Sequence, residues 1–165
     1  MEIRPLRGEP LGLDLVNTMW IWQGERRDQL GTAEGMTAWL TEHGLSGEAE
    51  PLLEARAAIR DLLEGRGPER LNAVLDHGSR RPRMGAGGPY ETVVLDEPGW
   101  EAAWLAAADT VRVLGERPER VKGCGNERCT LWFLDVSKNG SRRWCSMEVC
   151  GNRAKVSRFN QRHNR

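Results

Sequence analysis

Long apolar runs are missing from this chain of 165 residues. No stretch approaches the roughly 18 consecutive apolar residues of a membrane-spanning helix. The opening MEIRPLRGEP has no apolar signal core. Both absences lead us to expect a soluble cytoplasmic protein with no membrane partner. Histidine is scarce, at three residues. His43 falls near a predicted helix end, where a plain surface role is expected, and His77 reads the same way. No Ser/His/Asp, Cys/His or paired-carboxylate arrangement is evident, which argues against an enzyme. The glycines between 85 and 88 lack the Gly-Lys-Ser/Thr ending of a phosphate loop. No internal repeat is present, apart from one pairing among the cysteines. Cysteine is scarce too: there are four, all between positions 124 and 150.

Net charge is zero, yet its distribution is uneven. Residues 1–116 carry 12 Lys and Arg against 20 Asp and Glu, a balance of −8. Residues 117–165 carry 12 against 4, a balance of +8. Such asymmetry points to a basic module with an anionic partner. The plainer explanation is a basic module docked on its own acidic domain.

Apolar spacing organises the first part. GLDLVNTMWIWQ sets Leu11, Leu15, Met19 and Trp22 at nearly helical intervals, so a helix is expected. GERRDQLG follows as a polar loop. Thr32 can cap a second helix that ends near Gly44. EAEPLLEARAAIRDLLEG is the clearest helix, with Leu52, Arg56, Ile59 and Leu63 on adjacent turns and Gly65 as its stop. Pro68 suits the start of a short fourth helix ending at Gly78. PRMGAGGPYETVVLDEPG reads as a β-hairpin. GWEAAWLAAADTVRVLG returns to helix, with Trp100, Trp104, Ala108 and Val111 predicted to face inward. ERPERVKG marks the join. The expected class is α+β: a mostly helical domain with one hairpin over 1–116, then a small module over 117–165. The seven tryptophans are expected mainly in cores.

The cysteines read C-x4-C, fifteen residues, C-x4-C, at Cys124, Cys129, Cys145 and Cys150. Zinc takes four thiolates in a tetrahedron, supplied by closely spaced pairs. Disulfides are disfavoured inside cells, and four idle thiols do not suit this spacing. Four thiolates leave no open position, so one structural Zn2+ per chain is expected, contributing on the order of 10 kcal/mol to folding the module. TLWFLDV is β-prone, Asn139-Gly140 is a hairpin turn signal, and Ser146 can cap a helix carrying Cys150, with Met147 and Ala154 facing inward beside it. The order resembles a treble clef. The metal is expected to organise residues 120–165 and leave the helices largely independent.

RRWCSMEVCGNRAKVSRF, with CGNERCTLWFLDVSKNG before it, resembles the CGNR zinc-finger family, whose name is spelled by Cys150-Gly151-Asn152-Arg153. GLDLVNT and MTAWL are similar to the ABATE-type α/β domain that precedes this finger in bacterial stress-induced transcription regulators. The resemblance implies a regulator that binds DNA.

The basic residues gather where such a partner could reach them. Lys138, Arg142 and Arg143 lie on the turn before Cys145. Arg153, Lys155, Arg158 and Arg162 follow on the helix. Lysines and arginines serve phosphates, and Asn152 with one arginine are candidates for base edges. Equally, Asn152 could hold the ligand loop, and Arg153 could pair with Asp135 or Glu148. Trp144 is expected in the finger core. In the first part, Asn17, Arg26, Arg27 and Asp28 could orient a small-molecule effector, against the plainer reading of a surface ion pair. A single finger offers few contacts, which favours a homodimer. Two other readings are an RNA-binding module and a protein-interaction scaffold.

Overall fold

The computed structural model describes residues 4–152. Among these residues the architecture is α+β, with five α-helices and three separate two-stranded antiparallel hairpins. Helix α1 spans Leu11–Val16, α2 Ala33–His43, α3 Ala49–Leu63, α4 Glu69–Leu75 and α5 Glu101–Glu116. Strands β1 (Met19–Trp22) and β2 (Glu25–Asp28) form the first hairpin. Strands β3 (Gly78–Gly85) and β4 (Gly88–Leu95) form the second, and β5 (Val121–Gly123) and β6 (Trp132–Leu134) the third.

The capped helices follow the sequence reading. The Thr32 hydroxyl accepts from Gly35 N at the start of α2, and Gly44 ends it at φ 62°, a left-handed stop that suits glycine. Helix α3 buries Leu52, Arg56 and Ile59 together. The second hairpin also forms, with its strands starting at Gly78 rather than Pro82. Helix α4 accordingly closes at Leu75, before Gly78.

Two expectations need correction. The helix over GLDLVNTMWIWQ stops at Val16, and GERRDQLG is not a loop but β2 and a 3-10 turn. Gln23 and Gly24 hold φ of 53° and 84°, the left-handed pair of a tight hairpin turn. That turn, with the β-favouring Trp20-Ile21-Trp22, outweighs the helical spacing of Met19 and Trp22. Helix α5 buries Trp104 and packs Trp100 on the core as expected, but its inward face is wider and excludes Val111. It buries Ala102, Ala103, Trp104, Ala106, Ala107, Thr110 and Val113, while Val111 is exposed. The small residues decide this, because they let α1 approach closely. A Cβ on Gly12 would stand 2.0 Å from Thr110 Oγ1 and 2.7 Å from the Ala106 carbonyl.

Burying α1, α3 and α5 against one another forms the main core, with Trp39 of α2 and Leu71 and Val74 of α4 closing it. Polar anchors fix its edges. Asp14, fully buried, accepts from Arg4 at 2.8 and 3.1 Å and from Trp39 Nε1 at 3.0 Å. His43 Nε2 lies 3.0 Å from the same carboxylate and packs on Trp39, so it is no plain surface histidine. His77 stacks on Trp100 and bonds Asp96 at the protein edge.

A second core joins the two parts of the chain. Trp20 of β1 packs with Leu131, Phe133, Cys145 and Cys150, and Leu6, Trp22, Trp144 and Val149 surround them. Trp132 turns the other way, into the helical core. The cysteine module thus shares apolar packing with the first 22 residues.

Candidate metal centre and nucleic-acid interface

Strands β5 and β6 pair in the register Val121↔Leu134, Lys122↔Phe133 and Gly123↔Trp132. Their connecting loop carries the first cysteine pair. Cys124 N donates to Leu131 O at 2.9 Å, which continues the ladder into the loop. Asn126 then shapes a tight turn, its side-chain oxygen accepting from Arg128 N and its carbonyl from Cys129 N. The hairpin therefore encloses the first pair, instead of filling the fifteen-residue spacer as expected. Asn139-Gly140 does turn, with Gly140 at φ 62°, but no return strand follows it among the described residues.

Asp135 explains the difference. Its fully buried carboxylate accepts from Lys122 Nζ at 2.7 Å, Ser137 N at 2.9 Å, Ser137 Oγ at 2.6 Å and Arg142 N at 3.0 Å. These donors wrap residues 135–142 around one charge and prevent a flat ladder. Burial alone would raise this carboxyl, but the Lys122 ammonium and the three other donors hold it well below the usual range.

The second pair sits at a helix start. Ser146 caps through its hydroxyl to Val149 N, and its carbonyl accepts from both Cys150 N and Gly151 N, giving a wide turn of π type over Met147–Gly151. Cys145 and Cys150 are buried as expected. Met147 is not: it is 55% exposed. Its sulfur lies over Gly151, where a Cβ would come within 2.8 Å of it. In the wide turn Met147 covers this glycine from outside, and Val149 packs on the second core.

All four sulfur atoms lie within 4.8 Å of one another. Cys129 and Cys145 are 3.7 Å apart, and Cys145 and Cys150 3.6 Å. These exceed by far the roughly 2.05 Å of a disulfide. They match the edge of about 3.8 Å expected for a tetrahedron with Zn–S bonds near 2.3 Å. Without a cation the four thiols cannot ionise together. Hydrogen bonds from Cys129 and Cys145 favour ionisation of the Cys124 thiol, while the interaction with Cys124 pushes both Cys129 and Cys145 up. A divalent ion at the centre removes that conflict. Two N–H groups point at sulfur, Cys145 N at Cys124 and Asn126 Nδ2 at Cys150, both 3.4 Å. The donors present fit one structural zinc, held by Cys124, Cys129, Cys145 and Cys150.

The basic candidates separate by environment. Arg142 is spent internally: it donates to Trp144 O at 3.0 Å and Cys145 O at 2.5 Å, lies 4.2 Å over the Phe133 ring and faces Glu9. Lys138 is exposed, as is Arg143, whose guanidinium rests 5.4 Å above Trp144. Arg128, which the motif reading passed over, is exposed on the first cysteine loop. Asn152 is exposed and donates to Glu148 O at 3.2 Å. The amide that touches the sulfur cluster is Asn126. Arg153, Lys155, Arg158 and Arg162, with Ala154, lie outside the described residues. A shallow groove beside the site is lined by Gly123, Gly125, Gly140 and Ser141, with Lys122, Arg142 and Arg143 around it.

Two of the effector candidates are engaged internally. Asn17 is fully buried and clamps β6, donating to Trp132 O at 2.8 Å and accepting from Trp132 N at 2.9 Å. Asp28 pairs with Arg56 at 2.5 and 2.8 Å. Arg26 is exposed on β2. Around the clamp, Arg60 reaches Thr130 O and Val16 O, and Glu9 accepts from Leu134 N at 2.8 Å. Only the short polar types of Asn126 and Asp135 hinted at turn-making roles. Nothing local marked Asn17, whose partner lies 115 residues away.

The fold and site define a helical α+β domain that carries a four-cysteine zinc finger. The CGNR zinc finger family matches residues 120–163. The ABATE family, described as "Putative stress-induced transcription regulator", matches residues 9–117. That is well over half of the chain, which therefore belongs to the ABATE family. Among curated proteins, none matches the chain. No helix among the described residues is long and apolar enough to cross a membrane.

Proposed function

We propose that this protein is a cytoplasmic regulator of transcription that binds duplex DNA through residues 117–165. The carrying observation is how the finger docks. It is held by apolar packing, by backbone carbonyls that accept from the Asn17 and Arg60 side chains, and by Leu134 N, which donates to Glu9. Among the described residues docking therefore consumes only one of its positive charges, Arg142, which stands 3.8 Å from Glu9. Arg128, Lys138 and Arg143 are exposed and have no ion pair among the described residues. That favours an external anion over simple neutralisation by the acidic domain. Asp135, the finger's buried carboxylate, is satisfied by Lys122 and so takes no charge from the exposed arginines.

In this reading Lys138, Arg143, Arg153, Lys155 and Arg158 serve the phosphates, and Asn152 serves a base edge. Arg142 maintains the shape of the site. The larger domain supplies the surface for a second copy or an effector, and its role is regulatory rather than catalytic.

Fluorescence anisotropy of the zinc-loaded protein with duplex DNA, structured RNA and an acidic protein competitor tests this. Four phosphate contacts among these residues give a log–log salt slope of about −3.6. Arg143→Ala should flatten it by about one unit on every sequence. Arg142→Ala should instead weaken zinc retention, because its bonds to the Trp144 and Cys145 carbonyls are lost. Preference for RNA or for the acidic protein over duplex DNA would refute the reading.

A further inference from the structure

The β3–β4 hairpin is far longer than its packing requires. Both strands run eight residues, about 27 Å at the usual strand rise. Only the base is anchored. Gly78 lies against Trp104 and Leu95, Trp104 Nε1 donates to Leu75 O, and the Arg80 guanidinium stands 5.7 Å over the Trp104 ring. Beyond that, residues 79–84 are all exposed, and so are Pro89, Tyr90 and Glu91 opposite.

The register sorts this ribbon into two faces, since opposed residues share a face. One carries Arg80, Pro82 and Met84 with Val93, Glu91 and Pro89; there Arg80 pairs with Glu91 at 3.8 Å. The other carries Arg81 opposite Thr92 and Arg83 opposite Tyr90. Neither Arg81 nor Arg83 has an ion pair or hydrogen bond among the described residues, and Tyr90 is 53% exposed beside them. In a domain whose balance is −8, two adjacent unpaired arginines have no internal purpose.

The tip is bare. Ala86 and Gly87 connect the strands, and a Cβ on Gly87 would meet nothing within 4 Å. Its φ lies outside the left-handed region, so neither crowding nor backbone geometry calls for glycine there. A thin tip does allow close approach to another surface. Free strand edges could instead pair with a second copy, but each strand carries a proline, Pro82 and Pro89, which interrupts edge pairing. Recognition by the face is what remains.

We infer that the β3–β4 ribbon is a second nucleic-acid contact, laying Arg81, Arg83 and Tyr90 against a groove of the same duplex. A B-form major groove, about 12 Å wide, accepts a two-stranded ribbon. The inference rests on the DNA-binding reading above and adds to it an element outside the finger.

The test uses the full zinc-loaded chain and a mixed-sequence duplex long enough for both elements. Arg81→Gln/Arg83→Gln should flatten the salt slope by about two units and weaken binding. Arg81→Lys/Arg83→Lys should keep the slope. Gly87→Glu, in open space, should also weaken binding by placing a carboxylate at the tip. Circular dichroism and zinc content should stay at wild-type values in all three. Wild-type binding that the glutamine pair leaves unchanged would overturn the ribbon contact and spare the finger. A wild-type protein that ignores duplex DNA would overturn both. A glutamine pair that changes sedimenting mass and not DNA affinity would show that the ribbon meets a second copy, which also overturns the inference.

Discussion

Replacing Asn17 by alanine should undock the finger. The Asn17 amide closes two hydrogen bonds on one residue of β6, at 2.8 Å to Trp132 O and 2.9 Å from Trp132 N. It behaves as one extra residue of a neighbouring strand. Alanine leaves both backbone groups without a partner, at a site too enclosed for water to replace the amide freely. Each such group costs about 1–3 kcal/mol, so the loss should reach roughly 2–6 kcal/mol. That is a large part of the ~5–15 kcal/mol that stabilises a typical domain. Urea unfolding of the zinc-loaded protein, followed by circular dichroism and tryptophan fluorescence, measures it. In wild type the two signals should coincide. In Asn17→Ala the fluorescence change should come first, because Trp132 leaves the helical core as the finger detaches. Asn17→Asp keeps the acceptor for Trp132 N, loses the donor and sets a carboxylate against Trp132 O. It should be at least as damaging. An Asn17→Ala protein that loses less than about 1 kcal/mol, with coincident transitions, would refute the clamp.

Four further outcomes follow from the structure. Metal analysis should find one zinc per chain. Chelation or Cys145→Ser should shift tryptophan emission, because Trp20 and Trp144 lie in the sulfur-side core, while most helical signal from α1–α5 persists; unchanged emission would separate the hairpin from the metal. The Asp28 carboxyl would be raised by burial alone, but Arg56 reverses this and holds it below its ordinary value. Its contribution is therefore complete above about pH 4 and disappears as pH falls through the lowered folded value. Asp28→Asn should erase that acid-side loss and cost about 2 kcal/mol at neutral pH by stranding Arg56, less than for a fully enclosed pair because the Asp28 side chain is 26% exposed. A pH–stability curve of the variant parallel to wild type would contradict it. Gly12→Ala should destabilise by about 1–3 kcal/mol, since its Cβ must push Thr110 and the α5 backbone aside; an unchanged melting temperature would show that α1 can shift freely.

Much of the site was legible because its information is local. Two cysteine pairs at fixed spacing define a metal site whatever surrounds them, and Ser146 before MEVC marks a helix start. The capped helices α2 and α3 were legible for the same reason. The first hairpin was not. Leu11, Leu15, Met19 and Trp22 fit a helical period, and the decisive features are a two-residue left-handed turn and a tertiary pull on Asn17. On α5 the buried Trp104 was legible, but Val111 was misread because valine looks more core-like than alanine. Alanines win where a neighbouring helix must come close. Arg142 shows the opposite limit. Its residue type suggests phosphate, yet a nearby ring and two carbonyls claim it. Sequence cannot tell an arginine that faces solvent from one that faces its own backbone.

Trp20 also sets a schedule for the newborn chain. It leaves the ribosome early, but its neighbours Leu131, Phe133, Cys145 and Cys150 are made more than a hundred residues later. At about 5–20 residues per second that is a wait of roughly 5–25 seconds. Through that interval α1–α5 can assemble, while β1 has no surface to cover it. Completion of the packing around the first hairpin is therefore deferred until residues 131–150 have been synthesised and have met their metal.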